Sequence, residues 1–153
     1  MTNKFKLLMI SSAALLALAG CATDGAKTAA TPAVHHSLEG GPWLIVSFAD
    51  GSTVPAGVTA DITFEPGDHN TSRVYGTGGC NRFNGGWQQK GDKITLGPLM
   101  SSMMACEPST KMETESKLLA VLNGATTLSW DADGTAKISA ADGNWVTLRR
   151  AAK

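Results

Sequence analysis

The stretch that decides the fold is Val74-Tyr75-Gly76-Thr77-Gly78-Gly79-Cys80-Asn81-Arg82-Phe83-Asn84-Gly85-Gly86-Trp87. Five of these fourteen residues are glycine. Glycine is used where φ must be positive or where another segment passes too close for a Cβ. The stretch therefore predicts a strand that bulges and turns back into a second strand. We expect residues 81–86 to form the turn, because Asn-Gly favours left-handed hairpin positions.

The segment Gly76-Thr77-Gly78-Gly79 also has some likeness to a nucleotide-binding loop. A dinucleotide fingerprint needs a strand before it and a helix after it. Here another strand is expected to follow, and the sequence has no Gly-Lys-Ser/Thr as in a P-loop. A glycine-rich hairpin is therefore favoured over a phosphate-binding loop.

On both sides of this stretch, short segments with period-two alternation are separated by turns rich in Gly, Asp and Asn. This pattern is typical of an antiparallel meander. The strands that we expect are residues 43–48, 58–64, 73–79, 86–89, 93–96, 126–130, 135–139 and 145–149.

Residues 108–123 break the alternation and predict one amphipathic helix. Thr110 and Glu113 have capping-box spacing, Glu113 and Lys117 are an i,i+4 pair, and Gly124 is a natural stop. The apolar stripe that would face the sheet is Met112, Leu118, Leu119, Val121 and Leu122. The predicted fold is α+β, an antiparallel β-meander of about seven or eight strands curled into a half-open barrel around one α-helix.

Several motifs together resemble the META domain, the family of the HslJ-like heat-shock lipoproteins. They are Gly79-Cys80-Asn81-Arg82-Phe83-Asn84-Gly85, Ile94-Thr95-Leu96-Gly97-Pro98-Leu99, Met103-Met104-Ala105-Cys106, and Glu113 at the start of the helix. The resemblance runs from about Trp43 to Leu148. Ser102 and Glu113-Thr114-Glu115 stand where the family has a threonine and a Glu-Gln-Glu, so the second feature is only partly matched.

This resemblance implies a protein without accepted enzymatic activity. It also implies links to heat induction, envelope stress and tolerance of some antibiotics.

Residues 1–20 predict a lipoprotein signal peptide. Lys4 and Lys6 precede an apolar run, residues 7–19, that is too short for a comfortable membrane span. The run ends in Leu18-Ala19-Gly20-Cys21, which resembles a lipobox and predicts lipidation, including palmitate, at Cys21. The alternative is an ordinary secretory signal with a chance cysteine.

Residues 21–37 predict a flexible tether, and residues 38–150 the META-like domain. The residue after Cys21 is Ala22, whereas an inner-membrane retention signal has an aspartate at this position. This favours a lipid anchor in the outer membrane with the domain facing the periplasm. Without residues 1–20 the chain has 11 basic and 13 acidic residues, a net charge of −2. The expected partners are the membrane, through the anchor, and an envelope protein, but no nucleic acid.

Cys80 and Cys106 are the two cysteines of the domain. In the oxidising periplasm, two thiols of one folded domain usually form a disulfide. The alternative is a cysteine nucleophile, which would need a histidine base, and the domain proper offers only His69. The pattern favours a structural disulfide between largely buried residues.

Met100, Met103, Met104 and Cys106 form a cluster of soft donors that would suit Cu(I). The alternative, which we favour, is that these methionines fill gaps in the core beneath the helix. His35-His36 at the end of the tether is more typical of a solvated linker than of a metal site.

The paired acids carry no clear chemistry. Glu113 and Glu115 are two apart on a helix and should not face each other. Asp131 and Asp133 lie in a turn that lacks the last glutamate of a calcium loop. The sequence therefore predicts no enzyme, no metal and no cofactor.

Among the four tryptophans, Trp43, Trp87, Trp130 and Trp145, we expect at least two in the core and the others at strand ends, where they could form a binding patch. The favoured function is a non-enzymatic outer-membrane lipoprotein that acts in envelope stress through protein contacts. The alternatives are a periplasmic inhibitor or ligand-binding module directed at a cell-wall enzyme, and a soft-metal binder.

Overall fold

The computed structural model describes residues 36–67 and 72–152. The predicted signal peptide, Cys21, most of the tether and His69 lie outside the described residues. Within them the chain forms nine strands and one helix. These are β1 Gly40–Phe48, β2 Asp61–Glu65, β3 Arg73–Thr77, β4 Arg82–Lys90, β5 Lys93–Leu96, β6 Met100–Ser101, α1 Thr110–Asn123, β7 Ala125–Trp130, β8 Ala136–Ala140 and β9 Trp145–Arg150.

The strands form one antiparallel sheet in the order β3-β2-β1-β9-β8-β7-β5-β4-β6. Because β3 also pairs with β4, eight strands close into a barrel, and β6 lies outside on β4. The expected α+β barrel with a single helix is confirmed. The glycine-rich stretch closes the ring, since Gly76 pairs with Phe83 across β3 and β4.

The reversal between β3 and β4 comes earlier than the sequence suggested. Residues 78–81 form the turn, where Gly79 has a φ of +113°. The prediction that residues 81–86 form it is wrong, because residues 82–86 belong to β4 and pair with β3. Gly85 is needed for another reason: a Cβ there would lie 2.7 Å from the Leu99 side chain.

The core lies inside the barrel, as the alternation along each strand requires. In β8, for example, Ala136, Ile138 and Ala140 are buried. The largest fully buried side chains are Phe64, Phe83, Leu38, Ile62, Ile94, Leu118, Leu122, Leu128, Ile138, Leu148, Val74 and Val146. Each contributes about 1.5–3 kcal/mol by leaving water. Methionine is absent from the core of the described residues.

Helix α1 packs against β8 and β9 and touches turns at one end of the barrel. Glu115 lies under Gly78 of the β3–β4 turn, and Lys117 reaches Asp50 of the β1–β2 loop. At the helix C-terminus, the Gly124 carbonyl accepts a hydrogen bond from the Ala141 N–H after β8. The helix thereby covers this end of the core.

Three details of the predicted helix are corrected. Its N-cap is Ser109, which makes no side-chain cap hydrogen bond, so the capping box of Thr110 and Glu113 does not form. Lys117 pairs with Asp50 at 2.7 Å and not with Glu113. Met112 is exposed, and the buried face consists of Thr114, Glu115, Leu118, Val121 and Leu122. No helix in the described ranges combines the length and apolarity needed to cross a membrane.

Candidate functional site

The main polar cluster of the described residues joins Asn81, in the β3–β4 turn, to Glu115, in the second turn of α1. Glu115 accepts hydrogen bonds from the Asn81 backbone N–H and, at 3.0 Å, from Asn81 Nδ2. Asn81 is 4% exposed and Glu115 8% exposed. This buried cluster connects the β3–β4 turn of the barrel to the helix through the Glu115 side chain.

The other half of the Asn81 amide holds the chain before the helix. Asn81 Oδ1 accepts hydrogen bonds from the Met104 N–H at 2.8 Å and the Ser102 hydroxyl at 3.0 Å. Asn81 Nδ2 also donates to the Met104 carbonyl at 3.2 Å. Every polar group of this side chain thus has a partner, and one residue organises the β3–β4 turn, the segment after β6 and the helix.

Gly78 and Gly79 allow this close approach. A Cβ at Gly78 would lie 2.5 Å from Cα of Glu115, and one at Gly79 would lie 2.5 Å from the Val58 side chain. Both distances are shorter than real carbon contacts allow. The glycines of the central stretch therefore serve helix docking as well as chain reversal.

Cys80 and Cys106 form a disulfide, with their Cα atoms 5.8 Å apart. The bridge lies beside Asn81 and ties the turn to the segment that leads into α1. Both cysteines are half-buried, so the expectation that they are largely buried is wrong. While they are bridged, neither provides a thiolate for catalysis or for metal binding.

The hydrogen bonds of this cluster are structural, because they hold the helix against the β3–β4 turn. Both oxygens of Glu115 accept hydrogen bonds from Asn81 and thus lie against its donors inside the protein. No buried side-chain nitrogen or oxygen of the described residues lacks a hydrogen-bond partner. Nearby, at the start of β2, burial raises the pKa of Asp61, and the Arg82 guanidinium opposes that shift.

The methionines lie at this end of the barrel but outside its core. Met100, Met103 and Met104 are 67%, 97% and 59% exposed, and Met112 is 42% exposed. The expectation that Met100, Met103 and Met104 fill the core is therefore wrong. Among the described residues, no group of three or more His, Cys, Asp or Glu side chains is placed to hold a metal ion.

The opposite end of the barrel, where the chain enters the domain, carries an aromatic cluster. The His36 ring stacks on Trp130 at 4.9 Å, and Trp130 lies 5.7 Å from Trp43. The Arg150 guanidinium covers Trp43 at 4.3 Å from its ring centroid. His36 therefore stacks on this cluster with its ring and remains exposed to solvent, as expected at the end of the tether.

Two open clefts flank that cluster. One, of about 560 Å³, extends from His36 to Trp87 and Gly91, and the other, of about 440 Å³, lies between Trp130 and Arg149. Neither includes Asn81, Glu115 or the disulfide.

The tryptophans divide as expected. Trp43 and Trp87 are buried, and each indole N–H donates to a backbone carbonyl, of Leu38 and Glu65 respectively. Trp130 and Trp145 lie at strand ends and are half-buried, with the Lys137 ammonium 4.5 Å from the Trp145 ring centroid.

The acidic residues weighed from sequence are placed as predicted. Glu113 is exposed and Glu115 is buried, so the two do not face each other. Asp133 accepts a hydrogen bond from the Thr135 N–H within its turn, which lowers the pKa of Asp133.

The pairing of Asn81 with Glu115 was not predicted, although both residues lie within the motifs that carry the family resemblance. Ser102 also belongs to the cluster through its bond to Asn81. A signal was present in the sequence, since the polar residue Asn81 follows the Gly-Gly-Cys turn, and the helix has a second glutamate, Glu115, two residues after Glu113. Spacing alone did not show that one of them points inward.

The geometry defines a class of protein, a small closed β-barrel whose single helix is joined to a glycine turn by one buried Asn–Glu pair and one disulfide. The chain belongs to the META domain family, whose model matches residues 36–153.

Two solved structures share this fold. An NMR structure of a protein from Burkholderia xenovorans has a TM-score of 0.60 at 23% sequence identity, over 76% of this chain and 85% of that one. A second NMR structure has a TM-score of 0.56 at 18% identity, over 72% of this chain and 89% of that one. No curated protein sequence matches this chain significantly.

Proposed function

We propose that this META-domain protein is a non-enzymatic lipoprotein of the outer membrane that serves envelope stress tolerance through protein contacts at the disulfide end of the barrel. The observation that carries the proposal is the position of the two ends of β4. Gln89, near its C-terminus, donates to the His36 carbonyl and accepts from the Leu38 N–H. Asn81 and the disulfide lie just before its N-terminus.

These contacts support one orientation of the domain relative to the proposed membrane anchor. Arg82 and Gln89 are seven residues apart on β4, which corresponds to about 23 Å along a strand. A chain anchored at Cys21 reaches the domain at the Gln89 end. The disulfide end, with the exposed methionines, is then the end that is held away from the membrane.

The polar cluster supports a role without catalysis. A general acid or base must reach a substrate, whereas Glu115 is turned inward onto Asn81. What this end offers to a partner is an apolar, adaptable surface of methionine side chains.

The anchor is tested with Cys21→Ala. We expect the variant to move from the membrane to the soluble fraction with an unchanged thermal midpoint, because Cys21 lies outside the domain. The wild type should incorporate labelled palmitate and the variant should not. Palmitate incorporation that survives the substitution would refute lipidation at Cys21.

The direction of contact is tested by photocrosslinking in intact cells. A crosslinker at Lys111, beside the Gly79 turn, is compared with one at Lys90, at the other end of β4. We expect a protein adduct from position 111 and none from position 90. Adducts only from position 90 would contradict the proposed direction, and capture of a cell-wall hydrolase would favour an inhibitor over a stress-tolerance factor.

A further inference from the structure

The methionines of the described residues lie on the surface, whereas packing preferences alone would place them in the core. Methionine is among the residues most often found buried, and it commonly fills irregular gaps in a core. In the described residues all four methionines are exposed, and the core is built from Leu, Ile, Val, Phe, Trp and Ala. All four lie between β6 and the first turn of α1.

We propose that Met100, Met103 and Met104 form a reversible oxidation site, which consumes two-electron oxidants such as hypochlorous acid while the fold stays intact. The thioether sulfur attacks the chlorine of hypochlorous acid, so that an S–Cl bond forms, the O–Cl bond breaks and hydroxide leaves. Water then adds to the chlorosulfonium sulfur, an S–O bond forms, and chloride and two protons leave. Sulfur is oxidised to the sulfoxide, and the chlorine of hypochlorous acid is reduced to chloride.

The neighbouring disulfide restricts this reaction to the thioethers. A free thiolate would compete for the oxidant. Cys80 and Cys106 are already joined, so they offer none. The methionine sulfurs are then the readily oxidised sulfurs of the described domain.

The backbone beneath these side chains is fixed independently of them. The Ser102 N–H donates to the Arg82 carbonyl at 3.1 Å, and the Met104 N–H and carbonyl both bond the Asn81 side chain. A sulfoxide is polar and disrupts a core that contains it. At Met103, 97% exposed, it points into water and leaves these hydrogen bonds in place.

The test titrates the full-length protein, purified from membranes in detergent, with substoichiometric hypochlorous acid and maps oxidation by peptide mass spectrometry. Since oxidation follows exposure, Met103 should react at least about twofold faster than Met112. The thermal midpoint should stay within about 2 °C of the untreated value after three oxygens are added. Methionine sulfoxide reductases with a thiol reductant should restore the unmodified mass.

The matched control is Met103→Leu, which should take up one oxygen fewer per molecule and keep the wild-type thermal midpoint. Cells exposed to sublethal hypochlorous acid should show Met103 sulfoxide that disappears during recovery. Oxidation of Met112 as fast as Met103, a steep loss of thermal stability with the first oxygens, or Met103 that stays reduced in challenged cells would each overturn the proposal.

Discussion

Glu115 accepts hydrogen bonds from both the backbone N–H and the side-chain amide of Asn81, a residue 34 positions earlier in the chain. The pair is buried, and it connects the β3–β4 turn to the helix that covers one end of the barrel. This buried side-chain contact thus joins the helix to the barrel, together with the disulfide and the Lys117–Asp50 pair.

The first prediction concerns this pair. Glu115→Gln keeps the size of the side chain but places an NH₂ group where an oxygen accepts from Asn81, so one buried donor faces another. We expect the free energy of unfolding, measured by urea titration, to fall by about 1–3 kcal/mol.

Glu113→Gln is the matched control, because Glu113 is the same residue type on the exposed side of the same helix. Its effect should stay within about 0.5 kcal/mol, as for most surface substitutions. Equal losses for the two variants would contradict a special role for the Asn81–Glu115 pair.

The second prediction concerns the close approach of the turn to the helix. Gly78→Ala introduces a Cβ that would lie 2.5 Å from Cα of Glu115, so the helix or the turn must shift. We expect a loss of about 1–3 kcal/mol in the free energy of unfolding, as for other overpacked sites.

Gly86→Ala is the matched control in the same glycine-rich stretch, because the nearest atom to its new Cβ would be 3.8 Å away. The Gly78 variant should be clearly the less stable of the two in the same urea titration. A Gly78 variant as stable as the Gly86 variant would show that the turn does not need glycine for packing.

The third prediction concerns the disulfide, which closes a loop with a sequence separation of 26. Replacing both Cys80 and Cys106 with serine should lower the free energy of unfolding by about 3.5 kcal/mol if the loss is mainly chain entropy in the unfolded state. The proposed contribution to stress tolerance should fall only as far as the folded fraction does.

Reduction provides the control for this bridge. Dithiothreitol should bring the wild type to the stability of the double-serine variant and should leave that variant unchanged. Peptide mapping after alkylation of native protein, isolated from cells without reductant, should find both cysteines unmodified. Alkylation of both before reduction would rule the bridge out.

The fourth prediction concerns the ion pair between Asp50, in the β1–β2 loop, and Lys117 of the helix. Hydrogen bonds from the Lys117 ammonium and from Ser52 hold the pKa of Asp50 below its ordinary value of 3.8. A carboxyl group whose pKa is lowered by folding stabilises the fold above its unfolded pKa, and this contribution is lost as the pH falls through the folded value.

Asp50→Asn should therefore lower the thermal midpoint at pH 7, and the gap to the wild type should close as the pH falls below 3.8. The effect should be small and weakened by salt, because the pair is exposed. In a protein that already carries Lys117→Gln, Asp50→Asn should lower the thermal midpoint by less over the same pH range. A gap that stays constant down to pH 2 would contradict the ion pair as its cause.

The sequence by itself determined most of the strands and the single helix, because alternation with period two and the break at residues 108–123 are local patterns. It did not predict the two-residue β6 or the first residues of β4. It also indicated the family, since the Gly-Cys-Asn-Arg-Phe and Met-Ala-Cys motifs are local too. The two cysteines and their expected compartment were enough to propose their pairing.

Only the tertiary structure decided the position of the β3–β4 turn, the pairing of Asn81 with Glu115 and the exposure of the methionines. Each depends on which segments meet in space. A glycine in sequence does not reveal whether it provides a positive φ, as at Gly79, or room for a neighbour, as at Gly78. Likewise, methionine suits a core as well as a surface, and the closed barrel had already filled its interior with branched and aromatic side chains.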